Sequence, residues 1–307
     1  MSYYLSIGSF HLCLSDAYDL FTKAQLETSC SSDGQVFDGN IDYFETVLSK
    51  YNKSIPVLKF MKQNCNGFYK NYYITYYDNY GLIIVTDVDK KTVDIGIRPG
   101  VFGQKSFYMI YKLILTHLCR LIFQYATPIH AACVVRNHHG VCIVGASGAG
   151  KSSLAFYLQE QGCDIISDDL CVINRKNYSI QGSATQINLR PDFVQYNKLE
   201  SMEVDEISPG RKISIQVNPM IEQVVTPKIM VCMVKSNESE SAFQSISLEE
   251  ACNLYMESNG RFGMNEWERK MQSDDIYAML ARNDVVCYKM SLGKDINRYI
   301  MKLCEIL

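Results

Sequence analysis

The stretch GASGAGKSSLAF, residues 145–156, sets Gly145, Gly150, Lys151 and Ser152 at the spacing G-x-x-x-x-G-K-S. Glycines so placed let successive backbone N–H groups turn inward toward one anion, which is phosphate-binding chemistry. Gly145, Ala146, Ser147, Gly148, Ala149, Gly150, Lys151, Ser152 and Ser153 are the candidate nucleotide-binding residues. Lys151 would reach the β- and γ-phosphates, and the Ser152 hydroxyl would ligate Mg²⁺. By average residue usage such a match arises on the order of once in a hundred chains of this length. The same residues approach the G-x-S-x-G elbow of serine hydrolases, with Ser147 as nucleophile, but the fifth position is Ala149. The phosphate-loop spacing has no mismatch and explains them better.

Asp168 and Asp169 follow Lys151 by only seventeen and eighteen residues. Two carboxylates behind a phosphate loop suit phosphoryl transfer. One can hold Mg²⁺ and the other can take the proton of an acceptor hydroxyl. An acidic pair is otherwise a solvated strand end. Adjacent strand residues point to opposite faces, so both acids address one site only if the strand has ended there.

The surrounding elements give the loop its context. GVCIVG reads as an apolar strand running into Gly145, and KSSLAFYLQEQG as a helix that stops at Gly162. HAACVV pairs with GVCIVG in a hairpin, with Gly140 at its turn in RNHHG. DIISDDLCVI reads as one buried strand, and a strand neighbouring the loop would carry both acids to the phosphates. More strands are expected at 178–189, 212–217 and 228–235. Toward the C-terminus come helices in SLEEACNLYMES, NEWERKMQSDDIYAMLARN and DINRYIMKLCEIL, with VVCYKM as a strand between the last two. Ahead of the loop, residues 67–99 read as an antiparallel meander and 106–126 as a helix. Residues 1–65 read as one or two strands, a short helix near 18–27, and loops. The expected division is a β-rich α+β part over 1–105 and an ATP-binding catalytic part over 106–307.

Composition narrows the function. A formal net charge of −3 gives no basic footprint for nucleic acid. The 12 cysteines form no C-x-x-C pair, so the paired-thiolate spacing of a zinc site is missing. They read as small buried hydrophobes in a reducing cytoplasm. The N-terminus has no basic region or cleavage-like site, so no signal peptide is expected. Residues 107–126 are apolar but carry Lys112, His117 and Arg120, so a buried helix is expected and no membrane span. The 21 tyrosines, clustered in NYYITYYDNY, read as cross-strand packing.

Residues 129–173 resemble the HPr serine kinase/phosphorylase family, specifically its kinase-like relatives in peptide-modification and other bacterial gene clusters. The resemblance rests on a strand with a single His ahead of the loop, His130, on the loop itself, and on Asp168-Asp169 after the first helix. INLRPDF (187–193) and GRKISIQ (210–216) look like weaker family positions. The resemblance implies an α/β fold, the phosphate-loop nucleotide-binding fold of phosphoenolpyruvate carboxykinase/HPr kinase type with a mixed sheet. It implies a kinase using ATP and Mg²⁺ on a Ser or Thr hydroxyl of a peptide or protein. It favours Asp168 as the base and Asp169 nearer the metal, and lifts His130 from a core residue to a partner of an acid or a phosphate. Arg190, Arg211 and Lys212 become candidate clamps for phosphate or substrate. The glycine-rich signature that bifunctional members associate with phosphorylase activity is not found past the two acids. That weighs against phosphorolysis and against HPr as the substrate. A small-molecule kinase and a nucleotide-binding regulatory module stay open as alternatives, and so does the oligomeric state, a homo-oligomer included.

Overall fold

The structure, a computed structural model, describes residues 2–7, 9–15, 34–55, 58, 65–98, 104–182, 186–197, 204–208, 212–216, 224–236, 240–258, 265–293 and 295–306. The helix expected near 18–27 and the candidate clamp Arg211 lie outside them. The chain forms two compact units, Met1–Tyr125 and Ala126–Leu307.

The first unit contains β1 (Ser2–Ile7), β2 (Phe10–Ser15), β3 (Gln35–Tyr43), α1 (Phe44–Tyr51), β4 (Cys65–Tyr69), β5 (Tyr72–Tyr77), β6 (Leu82–Asp87), β7 (Thr92–Ile97) and α2 (Gln104–Ile122). One sheet runs β1-β2-β3-β7-β6-β5-β4. Its β4–β7 portion is the antiparallel meander that the aromatic and β-branched runs predict. The expected boundary at 105/106 is displaced. α2 packs on β5 and β6 of this sheet, so it belongs to the N-terminal unit. Its apolar run reads equally well as the start of a second core, and only the packing decides. Among the described residues no helix is long and apolar enough to cross a membrane.

The second unit contains β8 (Ala126–Ile129), β9 (Ala132–Arg136), β10 (His139–Gly145), α3 (Lys151–Glu160), β11 (Asp164–Ser167), β12 (Cys171–Asn174), β13 (Ile180–Gln181), β14 (Gln186–Leu189), α4 (Pro191–Tyr196), β15 (Val204–Ser208), β16 (Lys212–Gln216), β17 (Val224–Met233), β18 (Ala242–Ile246), α5 (Leu248–Ser258), α6 (Glu266–Arg282), β19 (Val286–Ser291) and α7 (Asn297–Ile306). Its large sheet is mixed and runs β11-β9-β10-β17-β13-β12-β8, with β19 beside β17 and β18 beside β19. β10, β17 and β19 are parallel, whereas β9 and β11 are antiparallel to their neighbours. A small antiparallel sheet, β14-β16-β15, stands apart.

Both faces of the large sheet are covered, which is why its strands read as continuous apolar runs. Val141 and Ile143 of β10 pack with Leu154 and Leu158 of α3 and Leu303 of α7. Cys142 and Val144, which alternate with them, pack with Tyr255 of α5 and Met279 of α6. Cys133, Cys142, Cys171, Cys232, Cys252 and Cys287 all lie in that second core. Burial pushes the Cys133 and Cys287 thiols up to about 12, so these are packing residues without nucleophilic character.

Three local expectations change. Residues 1–65 carry three strands, β1, β2 and β3, where one or two were expected. The β9–β10 turn is Asn137-His138, both with positive φ (50° and 67°), while Gly140 sits inside β10 opposite Val135. A two-residue turn with both central residues left-handed matches the twist of the hairpin, and Asn tolerates that region. The expected single strand over 164–173 is two strands, β11 and β12, with a bend at 168–169 between them.

Candidate active site

The loop begins where β10 ends. At Gly145 (φ 141°) a Cβ would meet the Met233 carbonyl oxygen at 2.3 Å, so the parallel neighbour β17 admits only glycine there. Gly150 (φ 103°) is the N-cap of α3, and a Cβ on it would meet Leu292 Cδ1 at 2.4 Å. No side chain caps this helix start, so the first-turn N–H groups of Lys151, Ser152 and Ser153 face the loop without a capping acceptor. Lys151 is buried, and its Nζ donates to the Gly145 carbonyl at 2.8 Å and to the Ala146 carbonyl at 3.4 Å. α3 closes at its far end as expected. Gly162 N–H donates to Gln159 O and Cys163 N–H to Leu158 O, with Gly162 at φ 86°.

Topology brings His130 to the acids. β8 pairs with β12 so that Ile129 faces Cys171, and β9 pairs with β11 so that Cys133 faces Ser167. The link 130–131 and the link 168–170 therefore run side by side. His130 Nδ1 lies 2.7 Å from the Asp169 carbonyl oxygen and 3.3 Å from Asp169 Oδ1. His130 is buried, and its own N–H donates to the Tyr255 hydroxyl at 3.3 Å. The Asp169 side chain keeps 19% of its surface exposed. Asp168 is buried, and its Oδ2 accepts from the Asn188 backbone N–H at 2.8 Å and from Asn188 Nδ2 at 3.2 Å. The bend after Ser167 meets the condition for both acids to serve one site, because the strand has ended.

β11 does not neighbour β10; β9 lies between them, which sets the acids two strand spacings, about 10 Å, from the loop strand. The strand directions still gather the candidates on one edge. β10, β11, β17 and β19 all end there, and β9 begins there. The edge thus carries the 145–150 loop, Asp168-Asp169, His130, and the chain leaving β17 and β19. The carboxyl edge of parallel strands is where open α/β sheets bind ligands.

Arg190 is exposed and pairs with Asp192 through two bonds, Nε–Oδ1 at 3.1 Å and Nη2–Oδ2 at 3.0 Å. Lys212 opens β16, next to the Ile213–Leu189 pair. Asn188 and Tyr255 are the residues that sequence reasoning missed. Asn188 stands two positions before Arg190, in a stretch singled out for its arginine, and nothing in its spacing marks it. Among the described residues no group of three His, Cys, Asp or Glu could hold a metal ion by itself. A divalent cation beside Ser152 and Asp169 would complete its shell with phosphate and water oxygens, as Mg²⁺ ordinarily does. The glycine-lined loop, the uncapped helix start and the adjacent carboxylates fit a nucleotide with Mg²⁺.

No family model matches the chain. Curated relatives do. The HPr kinase/phosphorylase of Chlorobium phaeovibrioides is 40% identical over 131 residues, 40% of this chain and 38% of that protein. The HPr kinase/phosphorylase of Chlorobium luteolum is 33% identical over 109 residues, 36% and 32% of the two chains. That of Mycoplasmopsis pulmonis is 31% identical over 137 residues, 45% and 38%. The chain spans well under half the length of the relatives it matches. Among solved structures, the HPr(Ser) kinase/phosphatase of Coxiella burnetii aligns with 58% of this chain and 88% of its own at 15% identity, with a TM-score of 0.27, too low to speak for a shared fold. Over the matched segments the chain is similar to several HPr kinase/phosphorylases.

Proposed function

We propose that the protein is a kinase of phosphate-loop fold that moves the γ-phosphoryl of ATP to a Ser or Thr hydroxyl of a peptide or protein, with Mg²⁺. The observation that carries this reading is the single sheet edge on which the 145–152 loop, Lys151, the Asp168–Asn188 pair and the Asp169–His130 pair converge. The relatives named HPr kinase/phosphorylase support a kinase with a protein acceptor. The glycine-rich signature is not found past the acids, which favours a different protein or peptide over HPr.

This reading gives the residues the following roles. Lys151 and the loop N–H groups neutralise charge that builds on the transferring phosphoryl oxygens. Asp168, held in orientation by two N–H donors from Asn188, takes the proton of the acceptor hydroxyl as its oxygen bonds to phosphorus and ADP departs with the electrons of the broken P–O bond. Ser152 and Asp169 are the residues that would hold Mg²⁺, which supplies further charge neutralisation when bound. His130 fixes the Asp169 carboxylate from behind, as outer partners of metal-side acids do.

Calorimetric titration of ATP into wild type and Lys151→Ala, with turnover measured on both, tests the reading. The variant is expected to lose turnover by roughly 10²–10³-fold, the scale of removing one donor to developing charge. Equal turnover would sink it. The phosphorylated product should resist acid and hydroxylamine, and an acid-labile product would reject the hydroxyl acceptor.

A further inference from the structure

β17 is the parallel neighbour of β10, registered so that Met233 faces Gly145. The chain leaving β17 over Val234–Ser236 therefore runs past the loop on the side away from the acids. Lys235 lies on it. Its ammonium reaches the loop tip, where a methyl group placed on Gly148 would meet Lys235 Cε at 3.7 Å and Nζ at 3.8 Å. Ser147, Gly148 and Lys235 are all exposed, and no ion pair holds Lys235 among the described residues. Lys151 is placed differently. It is buried, and it is held inward by the Gly145 and Ala146 carbonyls. One lysine braces the loop from beneath, and the other stands over its tip with its donors directed at solvent.

We propose that Lys235 is the second cation of the site and contacts the phosphate chain of the nucleotide held at residues 145–152. This rests on the kinase reading above. A phosphate chain lying in the loop passes the Gly148 tip, where a four-carbon stem and three rotatable donors adapt to it without a fixed geometry. Hydrogen bonds to charged groups are the strong ones, and an exposed one retains part of that strength. Removing Lys235 should therefore weaken nucleotide binding about tenfold.

The test is calorimetric titration of ATP and ADP into the full chain as wild type, Lys235→Gln, Lys235→Arg and Lys151→Ala, with thermal midpoints recorded for each. Lys235→Gln should weaken both nucleotides about tenfold, with a shallower dependence on salt and an unchanged midpoint, and Lys235→Arg should restore most of the affinity. Unchanged affinity in Lys235→Gln, with Lys151→Ala weakened, overturns the role of Lys235 and leaves the kinase reading standing. Equal weakening in the Gln and Arg variants makes the residue structural and also overturns it. A wild type that takes up neither nucleotide overturns both.

Discussion

Each unit buries a histidine, and the two differ in what they face. His117 of α2 is fully buried, between the hydroxyls of Thr86 at 2.7 Å and Thr75 at 2.9 Å, with the Tyr73 ring 4.8 Å away. Burial, then the nearby Arg120 charge, hold its pKa well below the ordinary value, so it stays neutral. Arg120 in turn lies over the Tyr73 and Phe68 rings. His117 and the two threonine hydroxyls form a buried polar cluster closed off from solvent. His130 is nearly as buried, yet its partner is an acid that still reaches solvent, and it stands at the edge of the mixed sheet where β10, β11, β17 and β19 end. Burial of a histidine is thus no sign of function. What sets His130 apart from His117 is that the carboxylate beside it is open to an incoming ligand.

The comparison breaks hardest at the acids. Asp168→Asn keeps size and removes the proton acceptor, and kcat is expected to fall roughly 10²–10⁴-fold with ATP affinity largely kept. Asp169→Asn is expected to lower turnover together with its Mg²⁺ activation. Steady-state rates across a Mg²⁺ series distinguish them. The same loss and the same Mg²⁺ response in both variants would mean that the pair acts as one metal-binding unit.

A smaller effect separates the histidines themselves. His130→Ala removes the partner of Asp169 and should cost about 10–100-fold in turnover, the usual scale for an outer partner of a metal-side acid. His117→Ala leaves two buried hydroxyls and a cavity, and should cost about 2–4 kcal/mol of stability. Urea unfolding and turnover measured on both variants give the crossed pattern. A His117 variant that loses turnover without losing stability would erase the distinction.

Legibility in the sequence followed the same divide. The strand–turn–helix around the loop was readable because close packing constrains adjacent residues: Gly145 lies against the Met233 carbonyl and Gly150 against Leu292. The meander of β4–β7 and the end of α3 at Gly162 were readable for a similar reason, since turns and caps are local. The bend at Asp168 was not, because DIISDDLCVI is apolar on both sides of the acids and only the pairing of β8 with β12 and β9 with β11 splits it. Asn188 was hidden because its partner is twenty residues away and its type is common. The unit to which α2 belongs was not legible, because its apolar face does not declare which sheet it will cover.

The smallest effect sharpens the comparison from the structural side. His117 has a folded-state pKa far below its unfolded value near 6.5, so the unfolded chain binds a proton that the folded chain refuses. Stability therefore rises with pH wherever the unfolded state holds more protons. The contribution is fully present above about pH 6.5 and is lost as pH falls beneath it. Between pH 7.5 and 5.5 this one group should remove about 1 kcal/mol from the stability of the unit that contains it. His117→Gln keeps a polar side chain between Thr75 and Thr86 and has nothing to titrate. Its urea midpoint should start lower than that of wild type at pH 7.5 and decline less on acidification. The gap between the two midpoints should narrow by pH 5.5, read from hydrogen exchange of amides in residues 1–125. Parallel lines would mean that His117 is not the group that titrates on unfolding, and the closed cluster would then lose its claim to be the neutral counterpart of the His130 site.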